Sequence, residues 1–267
     1  MHKRLTLISE VVEYLDAEFH PEYQESYDNS GFLLGDGEMP CTGVMASLDL
    51  TGAVIDEALD NGANLIVTHH PFIFSGIKRI APSDATGGMI YRLIRNNISV
   101  YAAHTNLDNL PYGINGLLAE RLGLTECHIL QPLAGQPDPD IGAGMVGMLP
   151  QEVDTETFLQ QVKRTLGLPC LRHSRLATPT VRRVAVCGGA GSFLIGRAKA
   201  VAADIYLTGD LKYHDFQRAE DDITLADIGH FESEQYAPET IYSHISKKFS
   251  TFACFISRHA RSFVEYM

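Results

Sequence analysis

The stretch VMASLDLTGAVIDEALDNGANLIVTHH, residues 44–70, decides the fold class of this chain. Residues 44–48 and 65–68 are short β-rich runs, and residues 51–60 between them have helical character that ends at Asn61-Gly62. A helix that joins two strands is typical of a β-α-β unit, in which the strands run parallel. The alternation continues beyond this stretch, which predicts an α/β fold with mainly parallel sheets.

The rest of the pattern predicts two lobes. Residues 131–140, QPLAGQPDPD, contain three prolines and a glycine and are predicted to be a loop or a domain boundary. We predict one metal-binding α/β lobe from residues 1–126 plus 230–267, and a second α/β lobe from residues 127–229. Other predicted strands are 98–102, 144–149, 183–187, 205–208, 225–228 and 251–256; other predicted helices are 89–96, 113–122, 156–166, 193–203 and 234–249.

Charge and cysteine content narrow the classes of function. The formal net charge is −12, which disfavours nucleic acid and anionic membranes as partners without excluding a local basic patch. The N-terminal residues lack an unbroken apolar run, so neither a signal peptide nor a membrane span is expected. The cysteines are widely spaced with no C-x-x-C motif, which predicts reduced thiols and a cytoplasmic location: Cys41, Cys127, Cys170, Cys187 and Cys254.

Histidines fall at or just after the ends of several predicted strands. Residues beyond the carboxyl ends of parallel strands gather at one edge of a sheet, where such folds bind ligands. A single histidine at such a place is usually a hydrogen-bonded loop residue, but a repeated placement favours a site. The strand-end histidines are His69, His70, His104 and His230. Apart from His214, the remaining histidines are predicted to be surface or structural: His2, His20, His128, His173, His244 and His259.

Carboxylates accompany two of these histidines at a spacing of four residues. Asp108 follows His104 in HTNLD, and Glu234 follows His230 in HFESE, so each pair lies on one face of a helical turn. Imidazole and carboxylate donors together suit zinc, manganese, iron or nickel. The adjacent His69 and His70 must diverge, which favours two cations about 3.5–4 Å apart. We expect Glu234 to bridge them and Asp108 to be a terminal ligand.

Several motifs resemble those of a known family, the dinuclear-metal-centre toroidal hexamers, whose members are often named GTP cyclohydrolase 1 type 2 homologue. The matching segments, in chain order, are ESYDNSGFLLG, SLDLTGAVIDEAL, THHPFIF, AAHTNLD, VAVCGGAGSF, YLTGDLKYHD and IGHFESE. The resemblance covers nearly the whole chain. It implies a toroidal homohexamer and two divalent metal ions per subunit, with the ligands His69, His70, Asp108, His230 and Glu234. It also implies that His104 is a pocket residue or a weaker ligand.

The expected activity is metal-dependent hydrolysis. A water held by two cations becomes a nucleophile near neutral pH, and His104 or His214 could transfer protons. The family name suggests GTP as the small-molecule substrate, with ring opening and loss of formate. The alternative is a regulatory or nucleic-acid-binding metal ring without turnover.

Two other segments have competing interpretations. CGGAGS, residues 187–192, is predicted to pack a strand tightly against a helix, and the alternative is a phosphate-binding turn. In TGDLKYHD, residues 208–215, Asp210, Lys212 and His214 either enter the pocket or form a solvated helix start. Tyr27, Asp28 and Asn29 are candidates for the lip of the cleft, with a plain turn as the alternative.

Overall fold

The computed structural model describes residues 4–267, so that His2 lies outside the described residues. The chain forms two compact units: the first runs to Leu107 and resumes over Tyr236–Ala260, and the second comprises Asp108–Gln235 and Arg261–Met267. The sequence predicted the boundaries between the lobes after residue 126 and before residue 230, whereas the structure places them after Leu107 and before Tyr236. Residues 108–126 go with the second unit because the helix at Ile114–Arg121 packs on the strands of that unit.

The helices and strands follow one another through both units. The helices are α1 (Ile8–Phe19), α2 (Gly52–Asp60), α3 (Ala85–Arg95), α4 (Thr105–Asp108), α5 (Ile114–Arg121), α6 (Thr155–Leu166), α7 (Ile195–Ala200), α8 (Tyr213–Gln217), α9 (His230–Glu234) and α10 (Ala237–Lys248). The strands are β1 (Gly31–Leu34), β2 (Gly43–Ser47), β3 (Leu65–Thr68), β4 (Ser99–Ala102), β5 (Thr125–Pro132), β6 (Gly142–Asp154), β7 (Arg172–His173), β8 (Thr180–Ala190), β9 (Ile205–Gly209), β10 (Thr224–Asp227) and β11 (Ala253–Ile256).

The sheet of the first unit has the order β1-β4-β3-β2-β11 and is parallel except for β1. Strands β2, β3 and β4 are buried along their whole length, as expected for central parallel strands covered by helices on both faces. Their register pairs Ser47 with Thr68 and Thr68 with Ala102. The carboxyl ends of the three strands are therefore level, which positions the residues that follow them.

The sheet of the second unit is mixed, so the prediction of a mainly parallel sheet is wrong there. Its order is β5-β6-β8-β9-β10-β7, and only β8, β9 and β10 run parallel. The proline-rich stretch is a hairpin loop between the antiparallel strands β5 and β6 rather than a domain boundary. A loop this short can join only antiparallel strands, because a parallel crossover needs a dozen or more residues.

The predicted helix over residues 234–249 is confirmed as α10, and a separate short helix, α9, directly precedes it. Helix α9 ends at Glu234, and α10 begins at Ala237 with Pro238 in its first turn. Proline favours the first turn of a helix and interrupts one that would otherwise run through it. Within residues 4–267, none of the helices has the length and apolar character needed to cross a membrane.

A buried carboxylate links α2 to the chain beyond β11 in the first unit. Glu57 accepts hydrogen bonds from the Ser257 hydroxyl at 2.6 Å and from the backbone N–H of Arg258 at 3.1 Å. Burial by itself would raise the pKa of Glu57, but these hydrogen bonds outweigh it and hold the pKa below its ordinary value of 4.5. The interaction therefore stabilises the folded state when Glu57 is ionised.

We expect Glu57→Gln to lower the free energy of unfolding at pH 7 by about 1–3 kcal/mol, because buried donors lose a charged acceptor. A carboxyl with a lowered folded-state pKa contributes stability above its ordinary pKa and loses it as the pH falls through the folded value. The difference from wild type should therefore shrink below about pH 4. Urea unfolding at pH 7 and below about pH 4 measures this difference in stability, with the exposed Glu13→Gln of α1 as control. Equal stabilities at pH 7 would contradict the prediction.

Candidate metal centre

The strand ends of the first unit bring three histidines together. His69 and His70 directly follow β3, and His104 lies two residues after β4, the strand next to it. Each of the three offers a ring nitrogen within 4.8 Å of those of the other two. The ring centroids are 5.1 Å apart for His69 and His70 and 5.3 Å apart for His69 and His104. The prediction that these strand ends meet at one edge is confirmed for the first unit.

Each ring of the adjacent pair is held through its Nδ1 atom. The Nδ1 atom of His69 lies 2.7 Å from the carbonyl oxygen of Ala103, and that of His70 lies 2.7 Å from Oδ1 of Asp49. A carbonyl or carboxylate oxygen can only accept, so Nδ1 donates in both cases. In this tautomer Nε2 carries the lone pair, and such a partner is typical of metal-binding histidines.

His104 has the same arrangement. Its Nδ1 lies 2.7 Å from Oδ1 of Asp28, whose other oxygen accepts from the backbone N–H of Thr105 at 3.1 Å. Burial would raise the pKa of Asp28, but the hydrogen bond and charge of His104, together with the bonds from Thr105 and Asn29, lower it well below its ordinary range. Asp28 is therefore a fixed anion that orients His104. Like His69 and His70, His104 has an oxygen partner at Nδ1 and leaves Nε2 as the nitrogen with the lone pair.

One short helix of the second unit carries a histidine and a glutamate. His230 begins α9 and Glu234 ends it, and His230 Nε2 lies 3.1 Å from Glu234 Oε2, as the spacing of four residues predicted. The Nδ1 atom of His230 lies 2.8 Å from Oδ2 of Asp210, which directly follows β9. Glu234 is buried. The Nε2 atom of His230 therefore faces the buried carboxylate of Glu234.

The glycine-rich segment makes room for that carboxylate. A Cβ atom on Gly189, whose φ is +57°, would lie 2.3 Å from Oε1 of Glu234. A Cβ atom on Gly191 would lie 2.4 Å from the hydroxyl oxygens of Tyr206 and Thr208. The interpretation of this segment as tight packing is therefore confirmed. The sequence did not indicate that Glu234 is what the segment packs against.

A second carboxylate secures the turns that carry His230 and its aspartate partner. Asp227, the last residue of β10, accepts from the backbone N–H of Gly229 at 3.0 Å and from that of Leu211 at 3.1 Å. The Arg172 guanidinium pairs with the same carboxylate. The buried carboxylate of Asp227 therefore fixes Gly229, which precedes His230. It also fixes Leu211, which follows Asp210.

Asp108 is partly buried and lies among other polar groups of the second unit. Asn115 donates from Nδ2 to the backbone carbonyl of Asp108 at 3.0 Å and accepts from the N–H of Gly188. Burial raises the pKa of the Cys187 thiol, and the nearby carboxylates of Asp108 and Glu234 raise it further. Both predicted carboxylate ligands of this unit therefore lie near one thiol.

The predicted catalytic residue His214 has a different environment. It lies exposed on α8, with its Nδ1 atom 3.5 Å from Oε1 of Gln217 and its ring edge-on to Tyr213. The partner of its ring is therefore the amide oxygen of a residue on the same short helix, not a carboxylate. Its role in proton transfer stays a prediction.

Three aspartates that orient histidines were not identified as such from the sequence. Asp49 and Asp210 follow β2 and β9, so the rule that identified the histidines could also have identified them. Asp28 follows no strand, and only its place in the motif ESYDNSG marked it.

The fold and these side chains together define a mixed α/β protein with histidine and glutamate groups that could bind a metal ion. The donors fit a divalent transition metal, because they are imidazole nitrogens and carboxylate oxygens with hydrogen-bonded outer partners. The sequence profile of Duf34/NIF3 (NGG1p interacting factor 3) matches residues 6–261. The chain therefore belongs to the Duf34/NIF3 family.

Individual relatives agree with this assignment. The chain is 36% identical over 214 residues to a "GTP cyclohydrolase 1 type 2 homolog" of Clostridium perfringens, covering 79% of this chain and 80% of the relative. A protein of the same name from Campylobacter jejuni is 34% identical, with 86% and 88% covered. A hypothetical protein of Staphylococcus aureus has a similar crystal structure, with a TM-score of 0.90, 26% identity, and 99% and 100% of the two chains covered. The resemblance inferred from the motifs is confirmed.

Proposed function

We propose that this chain is a metal-dependent hydrolase that binds two divalent cations per subunit. The proposed ligands are His69, His70, Asp108, His230 and Glu234, with Glu234 bridging the two cations. One observation carries the proposal: the Nδ1 atoms of His69, His70 and His230 all bond to a carbonyl or carboxylate oxygen. That pattern leaves Nε2 as the nitrogen with a lone pair at every proposed histidine ligand.

Divalent cations, when bound, polarise a carbonyl or phosphoryl group and lower the pKa of water. The side chains of this protein supply the positioning. Asp49 and Asp210 hold the imidazoles of His70 and His230 in one tautomer. Asp28 does the same for His104, which is therefore oriented to accept or donate a proton at Nε2. We assign a second proton-transfer role to His214.

The proposed substrate is GTP, as the names of the curated relatives suggest. Hydrolysis would open the imidazole portion of the guanine ring and release formate. The test is to load the purified protein with Zn²⁺, Mn²⁺, Fe²⁺ or Ni²⁺, incubate it with GTP and with a panel of phosphate esters, and measure formate and phosphate. Turnover that depends on the metal supports the proposal. Full metal binding with no turnover would overturn it in favour of a regulatory or nucleic-acid-binding scaffold.

We also propose that the chain acts in the cytoplasm as a toroidal homohexamer. The resemblance in motifs supports the hexamer, and the dispersed cysteines support a reducing compartment. Light scattering coupled to size exclusion should give six times the mass of one chain. A monomer or dimer at micromolar concentration would contradict the hexamer without affecting the metal site.

The outer partners of the histidines lead to a quantitative prediction. We expect Asp49→Asn and Asp210→Asn each to weaken metal binding by about 10- to 100-fold, because an amide is a poorer acceptor for Nδ1–H and can invert the ring tautomer. Competition with a chromophoric chelator measures the affinity. The exposed Asp221→Asn serves as the matched control in the second unit. Unchanged affinity in both variants would show that these aspartates do not orient ligands.

A further inference from the structure

Two exposed aromatic side chains adjoin the histidines of the first unit. Phe74 is 47% exposed and Tyr27 is 60% exposed. The ring centroid of Phe74 lies 6.2 Å from that of His104, and the centroid of Tyr27 lies 6.4 Å from that of Phe74. Exposed apolar surface next to a polar site commonly marks a ligand-binding groove. The pair therefore extends the histidine site by an apolar surface.

Hydrogen bonds fix this aromatic pair relative to the histidines. Asp28, which follows Tyr27, holds the ring of His104. Asn29 donates from Nδ2 to the backbone carbonyl of Ile73 at 2.6 Å, which ties the loop carrying Phe74 to the same turn. The consecutive residues 27–29 therefore supply one aromatic ring, the hydrogen-bond partner of His104 and the anchor of the loop that carries Phe74. A surface held in this way is preorganised rather than formed on binding.

We propose that Tyr27 and Phe74 form a stacking subsite for a planar heteroaromatic ring of the substrate. The inference rests on the proposed function, because it places the reacting part of the same substrate at the histidines. Aromatic side chains bind bases through their faces and tolerate different bases, since every base has a π-face. The neighbouring Asp28 is an anion already engaged by His104 and Thr105, so phosphate is disfavoured on this side. The subsite therefore selects for a ring and not for a phosphate.

The test is equilibrium calorimetry on the metal-loaded protein with GTP, ATP and CTP, and with tripolyphosphate as the probe that lacks a ring. We expect Phe74→Leu and Tyr27→Leu each to weaken nucleotide binding about tenfold and to leave tripolyphosphate binding unchanged. Tyr91→Leu is the matched control: Tyr91 is 44% exposed on α3 of the same unit, with the Arg95 guanidinium over its ring. The Tyr91→Leu variant should bind nucleotides with the affinity of the wild type.

Three results would overturn the subsite: nucleotides that bind no more tightly than tripolyphosphate, nucleotide affinity unchanged in both variants, or equal losses for nucleotides and tripolyphosphate. Metal content, measured in every variant, confirms that the site itself is intact. The binding measurement needs no turnover, so it separates the two proposals. Nucleotide bound through Tyr27 and Phe74 but never hydrolysed would support the subsite and overturn the hydrolase. Hydrolysis of ring-free phosphate esters, with nucleotide affinity unchanged in both variants, would support the hydrolase and overturn the subsite.

Discussion

Replacing Glu234 with glutamine should abolish tight metal binding while preserving the fold. The amide has the size of the carboxylate but no charge, and its NH₂ group would face His230 Nε2, which lies 3.1 Å from Oε2 in the native protein. We expect the affinity for divalent metal to fall by more than about a hundredfold, a larger effect than loss of an outer partner. Metal analysis after dialysis against micromolar Zn²⁺ measures the result.

The same substitution should abolish the effect of metal on stability. A ligand that binds only the folded state stabilises it by about 2.7 kcal/mol at a hundred times its dissociation constant, so added Zn²⁺ should raise the melting temperature of the wild type but not of Glu234→Gln. Without metal, the variant should stay folded, because glutamine has the size of the carboxylate that it replaces and keeps an oxygen that can accept hydrogen bonds. Glu220→Gln, an exposed carboxylate of the same unit, is the control. Wild-type metal content in Glu234→Gln would contradict the proposed bridging role.

The second large effect is expected from adding one methyl group to the glycine-rich segment. In Gly189→Ala, the new Cβ atom would lie 2.3 Å from Oε1 of Glu234, and the φ of +57° is unfavourable for alanine. Positive φ costs a non-glycine residue about 1–2 kcal/mol, and the steric contact adds to this by displacing the carboxylate. We therefore expect both lower stability and loss of metal binding.

Gly167→Ala separates the two causes. Gly167 has a φ of +68° at the end of α6 in the same unit, and a Cβ atom there meets nothing within 4 Å. It should show the backbone cost alone, with metal binding intact. Thermal unfolding and metal titration of both variants test this. Equal metal affinity in Gly189→Ala and Gly167→Ala would mean that Gly189 does not control the position of Glu234.

The sequence predicted those parts of the fold that depend on local pattern. Apolar runs such as residues 65–68 indicated buried strands, and the ends of those strands led to His69, His70 and His104. This worked because parallel strands bring their carboxyl ends to one edge regardless of their distance along the chain. The spacing of His230 and Glu234 was informative for the same reason, since a single helical turn fixes it.

Features that depend on tertiary partners could not be predicted in this way. The mixed second sheet depends on how strands β5 and β6 pair, and their polar and apolar residues do not specify a neighbour. The bond from His69 to the carbonyl of Ala103 involves a backbone group, which has no signature in the sequence. The fit of Gly189 around Glu234 joins residues 45 positions apart, and a glycine alone does not indicate what approaches it.

The most direct test of the metal site is an anomalous-scattering map from crystals grown with millimolar Zn²⁺ or Mn²⁺. We predict two peaks per chain, with Nε2 of His69, His70 and His230 among the ligands and the carboxylate of Glu234 on both metals. The Nδ1 atoms should keep their present oxygen partners. Peaks bound through Nδ1, or no peak at any of these side chains, would contradict the proposal.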